Sequence, residues 1–165
     1  MTPLLARLDA WLKKHRSRFH KNLQPGISPA ELDALGKNLG KPGAAALAPL
    51  LTWHNGQGDD YVGYFVDHWL LMSADKIVAA KADLDATGGE YGWKQSWVPF
   101  FDDDGGNFIA LDVAQLPAPV VAFWMGEKAE TLAPSLEAWL SEFVTAVEAG
   151  KFLEDPERGT FTAAR

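Results

Sequence analysis

Residues 96–113 read SWVPFFDDDGGNFIALDV, and this stretch decides the fold. Two short apolar runs, Trp97–Phe101 and Phe108–Leu111, flank a segment made of Asp, Gly and Asn. Asp and Asn bend a chain by hydrogen-bonding nearby backbone, and Gly accepts positive φ without a steric penalty. Strand, turn, strand follows, which is a β-hairpin. Pro99 has no N–H to give to a sheet ladder, so it belongs at an edge or a bulge. Gly105, Gly106 and Asn107 are the turn-shaping residues. Asp102, Asp103 and Asp104, three like charges in a row, are expected to stand free on the surface.

Downstream of the hairpin the sequence predicts a strand over Val120–Met125 and then a long helix. Leu136, Trp139, Leu140, Phe143, Val144 and Val147 recur at three- and four-residue spacing between Pro134 and Gly150, one apolar face in need of a sheet to cover. Trp139 is expected at the centre of that stripe. Upstream, Ser73 caps a helix to about Ala86, with Ile77, Lys81 and Leu84 on one side. Strands are expected over Tyr61–Phe65 and Trp69–Met72, around a turn at Val66-Asp67-His68.

The N-terminal third is helical. Leu4, Leu8, Trp11, Leu12, His15 and Phe19 make one face of a basic amphipathic helix over residues 1–23, expected to dock on its own domain and to end at Gln24-Pro25-Gly26. Ser28 and Glu31 form a capping box that starts the second helix, Pro29 fits its first position, and Gly40 with Pro42 stops it. A third piece runs from Gly43 to His54, with a break or kink at Pro49. These elements make one domain over residues 1–150, and residues 151–165 are expected to be a loosely ordered tail.

Composition narrows the function. There is no Cys, which removes disulfides, zinc–thiolate sites and thiol chemistry. No apolar run is long enough to span a bilayer, and the N-terminus lacks the form of a signal peptide, so a cytoplasmic location is expected. The net charge of −7 is uneven: residues 1–21 carry +5 and the remainder −12. Such an acidic body repels nucleic acid and attracts basic surfaces, and solubility alone is the alternative explanation of the charge.

Local motifs for chemistry are absent. The Asp102 loop fails the EF-hand pattern, having Gly106 at the fifth position and Val113 at the twelfth. His54, Asp59, Asp60 and His68 lack metalloenzyme spacing. Gly56-Gln57-Gly58 lacks the Lys of a phosphate loop, and no Ser has a GxSxG context. No catalytic residue, metal ligand or cofactor is therefore expected.

Five pieces taken in order resemble the SMI1/KNR4 family of the SUKH superfamily. They are PGISPAELDALGKNLG (25–40), LLTWHNGQ (50–57), LLMSADKIV (70–78), WVPFFDDDGGNFIALD (97–112) and LAPSLEAWLSEFVTAVEAG (132–150). The chain departs from the family at Lys41-Pro42-Gly43, where a Leu-Pro pair is common, and at residues 115–119, where a Gly-rich stretch is common. The resemblance implies an α+β fold: a mixed, mainly antiparallel sheet covered by N-terminal helices and a long C-terminal helix. It also implies a non-enzymatic role, since many bacterial members act as immunity proteins that neutralise polymorphic toxins by binding them. The expected partner is a basic toxin domain such as a nuclease, met by Asp59, Asp60, Asp102, Asp103 and Asp104, with neither nucleic acid nor membrane as a ligand. The alternative is a regulatory adaptor with a cellular partner, as in fungal relatives.

Overall fold

The computed structural model describes residues 1–60, 62–155 and 159–164. Helix α1 (Thr2–His15) ends at Arg16, and α2 (Ser17–Asn22) starts from the same residue, so the expected first helix is two. The apolar face docks on its own domain, with Leu5, Leu8 and Leu12 buried, and Arg7 on the exposed side pairs with Glu148. Strand β1 (Leu23–Pro25) follows where a plain turn was expected. In α3 (Pro29–Trp53) Ser28 Oγ accepts from the Glu31 N–H while Glu31 Oε2 accepts from the Ser28 N–H at 2.7 Å, the capping box the sequence announces. The one kink in α3 lies at Gly40 (φ 74°, ψ 157°), ahead of Pro42, and not at Pro49.

Strand β2 (His54–Gln57) pairs antiparallel with β1. Beyond it, residues 62–65 form no named strand, and Tyr61, where one was expected to begin, lies outside the described residues. A tight turn links Val66 to Trp69, and β3 (Leu70–Leu71) is all that regular pairing takes of the second expected strand. Helix α4 (Ala74–Thr87) is capped by Ser73, whose Oγ accepts from the Lys76 N–H. Its Lys81 is buried along the stem, and the ammonium donates to Asp85 and to the Gln95 carbonyl.

The hairpin forms as expected, from β4 (Trp97–Asp102) and β5 (Phe108–Asp112). Pro99 sits in an interior strand, tolerated because the register skips there: Pro99 faces Ala110, Phe101 faces Ile109, and Phe100 bulges between. The bulge puts two successive aromatic rings, Phe100 and Phe101, into the same core. Strands β6 (Val120–Phe123) and β7 (Glu130–Ala133) complete an antiparallel sheet of order β3-β4-β5-β6-β7.

Helix α5 (Leu136–Glu148) is capped by Ser135 and ends before Gly150 (φ 69°). Alternation along the strands divides the sheet between two cores. Val98, Ile109, Leu111 and Val120 join Leu8 of α1, Leu47 of α3, and Leu140 and Val144 of α5. Trp97, Ala110, Val121 and Phe123 face the other way, against Leu84 of α4 and Trp93. Trp139 is only half-buried, so the centre of the α5 stripe is Leu140 and Val144, not Trp139.

The C-terminal segment corrects the expectation of a loose tail. Strands β8 (Phe152–Asp155) and β9 (Thr160–Ala163) form a hairpin. Phe161 is 1% exposed, packed against Phe152 and Trp11. The Asp67 N–H donates to the Phe161 carbonyl, and the Tyr64 N–H to that of Gly159, so this hairpin clamps the irregular 62–67 segment.

Candidate functional site

A groove of about 370 Å³ opens where α5, β7 and the Val66–Trp69 turn converge. Ile109 and Ala122 form its floor, Trp69 and Trp124 one wall, and Trp139 and Phe143 of α5 the other. Trp69 and Trp124 lie 5.4 Å apart, and Trp139 stacks on Phe143 at 5.4 Å with 17° between planes. Three carboxylates stand among these rings: Asp67, Glu130 and Glu142. Asp67 holds positive φ (50°) in its turn, and burial pushes its carboxyl above the usual range, against the pull of neighbouring His68. Aromatic faces and carboxylates together are groups that attract cations, and here they line one apolar trough.

The hairpin tip lies beside this groove. The Asn107 side-chain oxygen accepts from the Met125 N–H at 3.0 Å, next to Trp124, and His68, whose charge acts on Asp103, sits 5.9 Å from the Trp124 ring. The three aspartates, however, are not three free charges. Asp103 is the keystone of the turn: its carboxylate accepts from the Gly105 N–H (2.8 Å), the Asn107 N–H (3.0 Å) and Asn107 Nδ2 (2.6 Å). Burial opposes the charge, but these bonds, with His68, hold the carboxyl below its ordinary value. Asp104 itself takes positive φ (56°), as does Gly106 (92°), while Gly105 does not. The expected division into shaping and free residues therefore fails, because charge reversal at Asp103 would test the turn before it tested binding.

Asp102 belongs to β4, opposite Phe108 and beside Leu70 of β3. Burial pushes its carboxyl up to about 6. With the folded value above the ordinary 3.8, the contribution to stability is complete below pH 3.8 and lost as pH rises through about 6. Asp102→Asn removes that loss and keeps an acceptor for the Asp104 N–H. Discounted for partial exposure, the variant is expected to gain about 1 kcal/mol at pH 8 and nothing at pH 4. Urea denaturation at both pH values checks it, and equal effects at the two would contradict the assignment.

Asp59 and Asp60 lie away from the groove. Asp59, 95% exposed, pairs with Lys76 at 3.3 Å, and the Asp60 carbonyl accepts from Asn22 Nδ2. Lys76 also exerts a weak pull on the Asp102 carboxyl. Sequence reasoning missed Trp69, Trp124, Glu130 and Glu142. The signal available was Glu142 set between Trp139 and Phe143 on the helix, and Trp124 directly after the apolar run Val120–Phe123.

A second cluster lies across the N-terminal helices. Asp9 of α1 receives the Trp53 indole N–H at 3.3 Å on the same oxygen that faces His20 Nε2 (3.1 Å) and His54 Nε2 (3.0 Å). His54 Nδ1 is 2.9 Å from the Gln24 carbonyl of β1.

A mainly antiparallel sheet with helices on both faces and a long C-terminal helix define the class: an α+β domain. The chain belongs to the SMI1 / KNR4 family (SUKH-1), which it matches over residues 26–142. No curated protein matches it. Among the described residues, no helix is long and apolar enough to cross a membrane.

Proposed function

We propose that this chain is a non-enzymatic, cytoplasmic immunity protein that neutralises a toxin by direct binding, and that the toxin presents a basic surface to the acid-lined groove. Membership of SUKH-1 supports the immunity-type binding role. The observation that carries the surface is the joining of Trp69, Trp124 and Trp139 with Asp67, Glu130 and Glu142 in one open trough on a protein of net charge −7. Aromatic walls supply buried area and cation–π attraction, while the carboxylates at the mouth steer a basic partner and set its register.

Co-expression with a candidate toxin, chosen as the product of an adjoining gene, tests the reading. The wild type is expected to restore growth, and Glu130→Lys with Glu142→Lys to lose protection and slow association at low salt by about tenfold or more. Both glutamates are exposed, so stability should change by less than about 1 kcal/mol. Failure of the wild type to protect would remove the immunity role, and full protection by the double variant would remove the groove from the interface.

A further inference from the structure

The geometry points to a divalent metal site formed by Asp9 Oδ1, His20 Nε2 and His54 Nε2, taking a first-row ion of the zinc class. The three ligand atoms lie within 4.8 Å of one another. Both Nε2···Oδ1 separations, 3.0 and 3.1 Å, approach the edge of about 3.3 Å that a tetrahedron with bonds of about 2.0–2.1 Å requires. Three protein ligands with a fourth position toward solvent is a familiar zinc arrangement.

The hydrogen bonding of His54 gives the stronger argument. A backbone carbonyl can only accept, so His54 Nδ1, 2.9 Å from Gln24 O, carries the proton. The neutral ring then has its lone pair on Nε2, and that lone pair faces an ionised carboxylate, which also only accepts. A second proton on the ring would resolve the conflict, and so would a cation between the two atoms.

His20 supplies the third donor atom. It turns its own Nε2 to the same oxygen, its ring 5.9 Å from that of His54 and perpendicular to it (88°). Neutral His20 can donate an Nε2–H to that oxygen, so the proton-bridged alternative asks for a second proton on His54 alone. One divalent ion serves all three donors at once. The contact from His54 Nδ1 to a carbonyl is also the outer-shell bond that fixes the tautomer of metal-bound histidines, and the Trp53 N–H on Asp9 supports the carboxylate in the same way.

The ligands come from three places: α1, α2 and the junction of α3 with β2. An ion there would tie the broken N-terminal helix to the end of α3, some distance in sequence from the acidic groove and independent of its partner. The site is read from this chain's own residues and stands or falls separately from the immunity role.

Tag-free, chelator-treated full-length protein should be titrated with Zn²⁺ by calorimetry and followed by thermal melting. One ion per chain is expected, in the micromolar range or tighter, with a raised melting temperature. His20→Gln and Asp9→Asn should each weaken uptake by about tenfold or more, while His15→Gln leaves it unchanged. Near-UV circular dichroism reports whether each variant is folded. Imidazole NMR of the wild type needs no variant: Zn²⁺ should move the Nε2 resonances of His20 and His54 and leave those of His15. No heat of binding up to millimolar Zn²⁺, uptake unchanged in both ligand variants, or shifts confined to other histidines would each overturn the site and leave a proton-bridged cluster.

Discussion

Arg16→Ala is expected to destabilise the protein by about 3–5 kcal/mol, the cost of removing one partner from a buried charged network. The Arg16 side chain is 1% exposed. Its guanidinium donates through Nε to Glu154 (2.9 Å), through Nη2 to the Tyr64 carbonyl (2.9 Å) and through Nη1 to that of Phe65 (3.2 Å). Its faces lie on aromatic rings, 4.3 Å from the centre of Phe161 and 4.4 Å from that of Phe19. A planar fork with several donors suits this task and an ammonium does not, so Arg16→Lys should recover little of the loss.

Arg16 also marks the break between the first two helices. Its N–H closes α1 on the Leu12 carbonyl and its own carbonyl accepts from His20 to open α2. The side chain thus joins the helix break, the irregular 62–67 segment and the C-terminal hairpin. Glu154→Gln should cost far less, since Glu154 is 35% exposed and an amide still accepts. Urea denaturation measures both, and hydrogen exchange should show the C-terminal hairpin opening first in Arg16→Ala. A midpoint close to wild type would mean that the guanidinium contributes nothing there.

In sequence, Arg16 is one of six basic residues within residues 1–21, and nothing local marks it as buried. The periodicity of α1 runs on through Phe19, so neither the break nor the burial was legible. Elements with local causes were legible: the capping box at Ser28, the Ser73 cap, the stripe of α5 and the Asp-Gly turn between two apolar runs. What failed depends on distant partners. β7 reads as a polar stretch because three of its four residues are exposed, and pairing with β6 alone makes it a strand. The C-terminal segment has few apolar anchors, yet Phe161 finds a pocket between α1 and α5. The groove is assembled from separate stretches between Val66 and Phe152, and no window of sequence contains it. Asp103 looked free because a carboxylate that builds a turn and one that faces water have the same local sequence.

Gly26→Ala is the second substitution with a large expected effect, about 3 kcal/mol of lost stability, at the upper end of what overpacking costs. Sequence assigned Gly26 to a turn, yet what demands glycine there is proximity. A Cβ built on it would stand 2.0 Å from the Thr52 carbonyl oxygen, 2.6 Å from that group's carbon and 3.2 Å from the Trp53 carbonyl oxygen. All three atoms are backbone in the last turn of α3 and cannot swing aside as a side chain would. That turn is held from both directions: the Ile27 N–H donates to the Leu51 carbonyl, and Pro25 pairs with His54 across the β1–β2 ladder. Admitting one methyl group means parting loop and helix, which loosens that ladder and exposes Ile27, now 7% accessible. Gly36 is the contrasting position, inside α3, where a Cβ would meet only the Ala44 methyl at 3.8 Å. Gly36→Ala is therefore expected to gain roughly 0.5–1 kcal/mol by removing backbone freedom from the unfolded chain. Chemical denaturation of the pair separates a contact effect from a general preference for alanine. A Gly26→Ala midpoint equal to wild type would show that the loop and the end of α3 do not touch in solution.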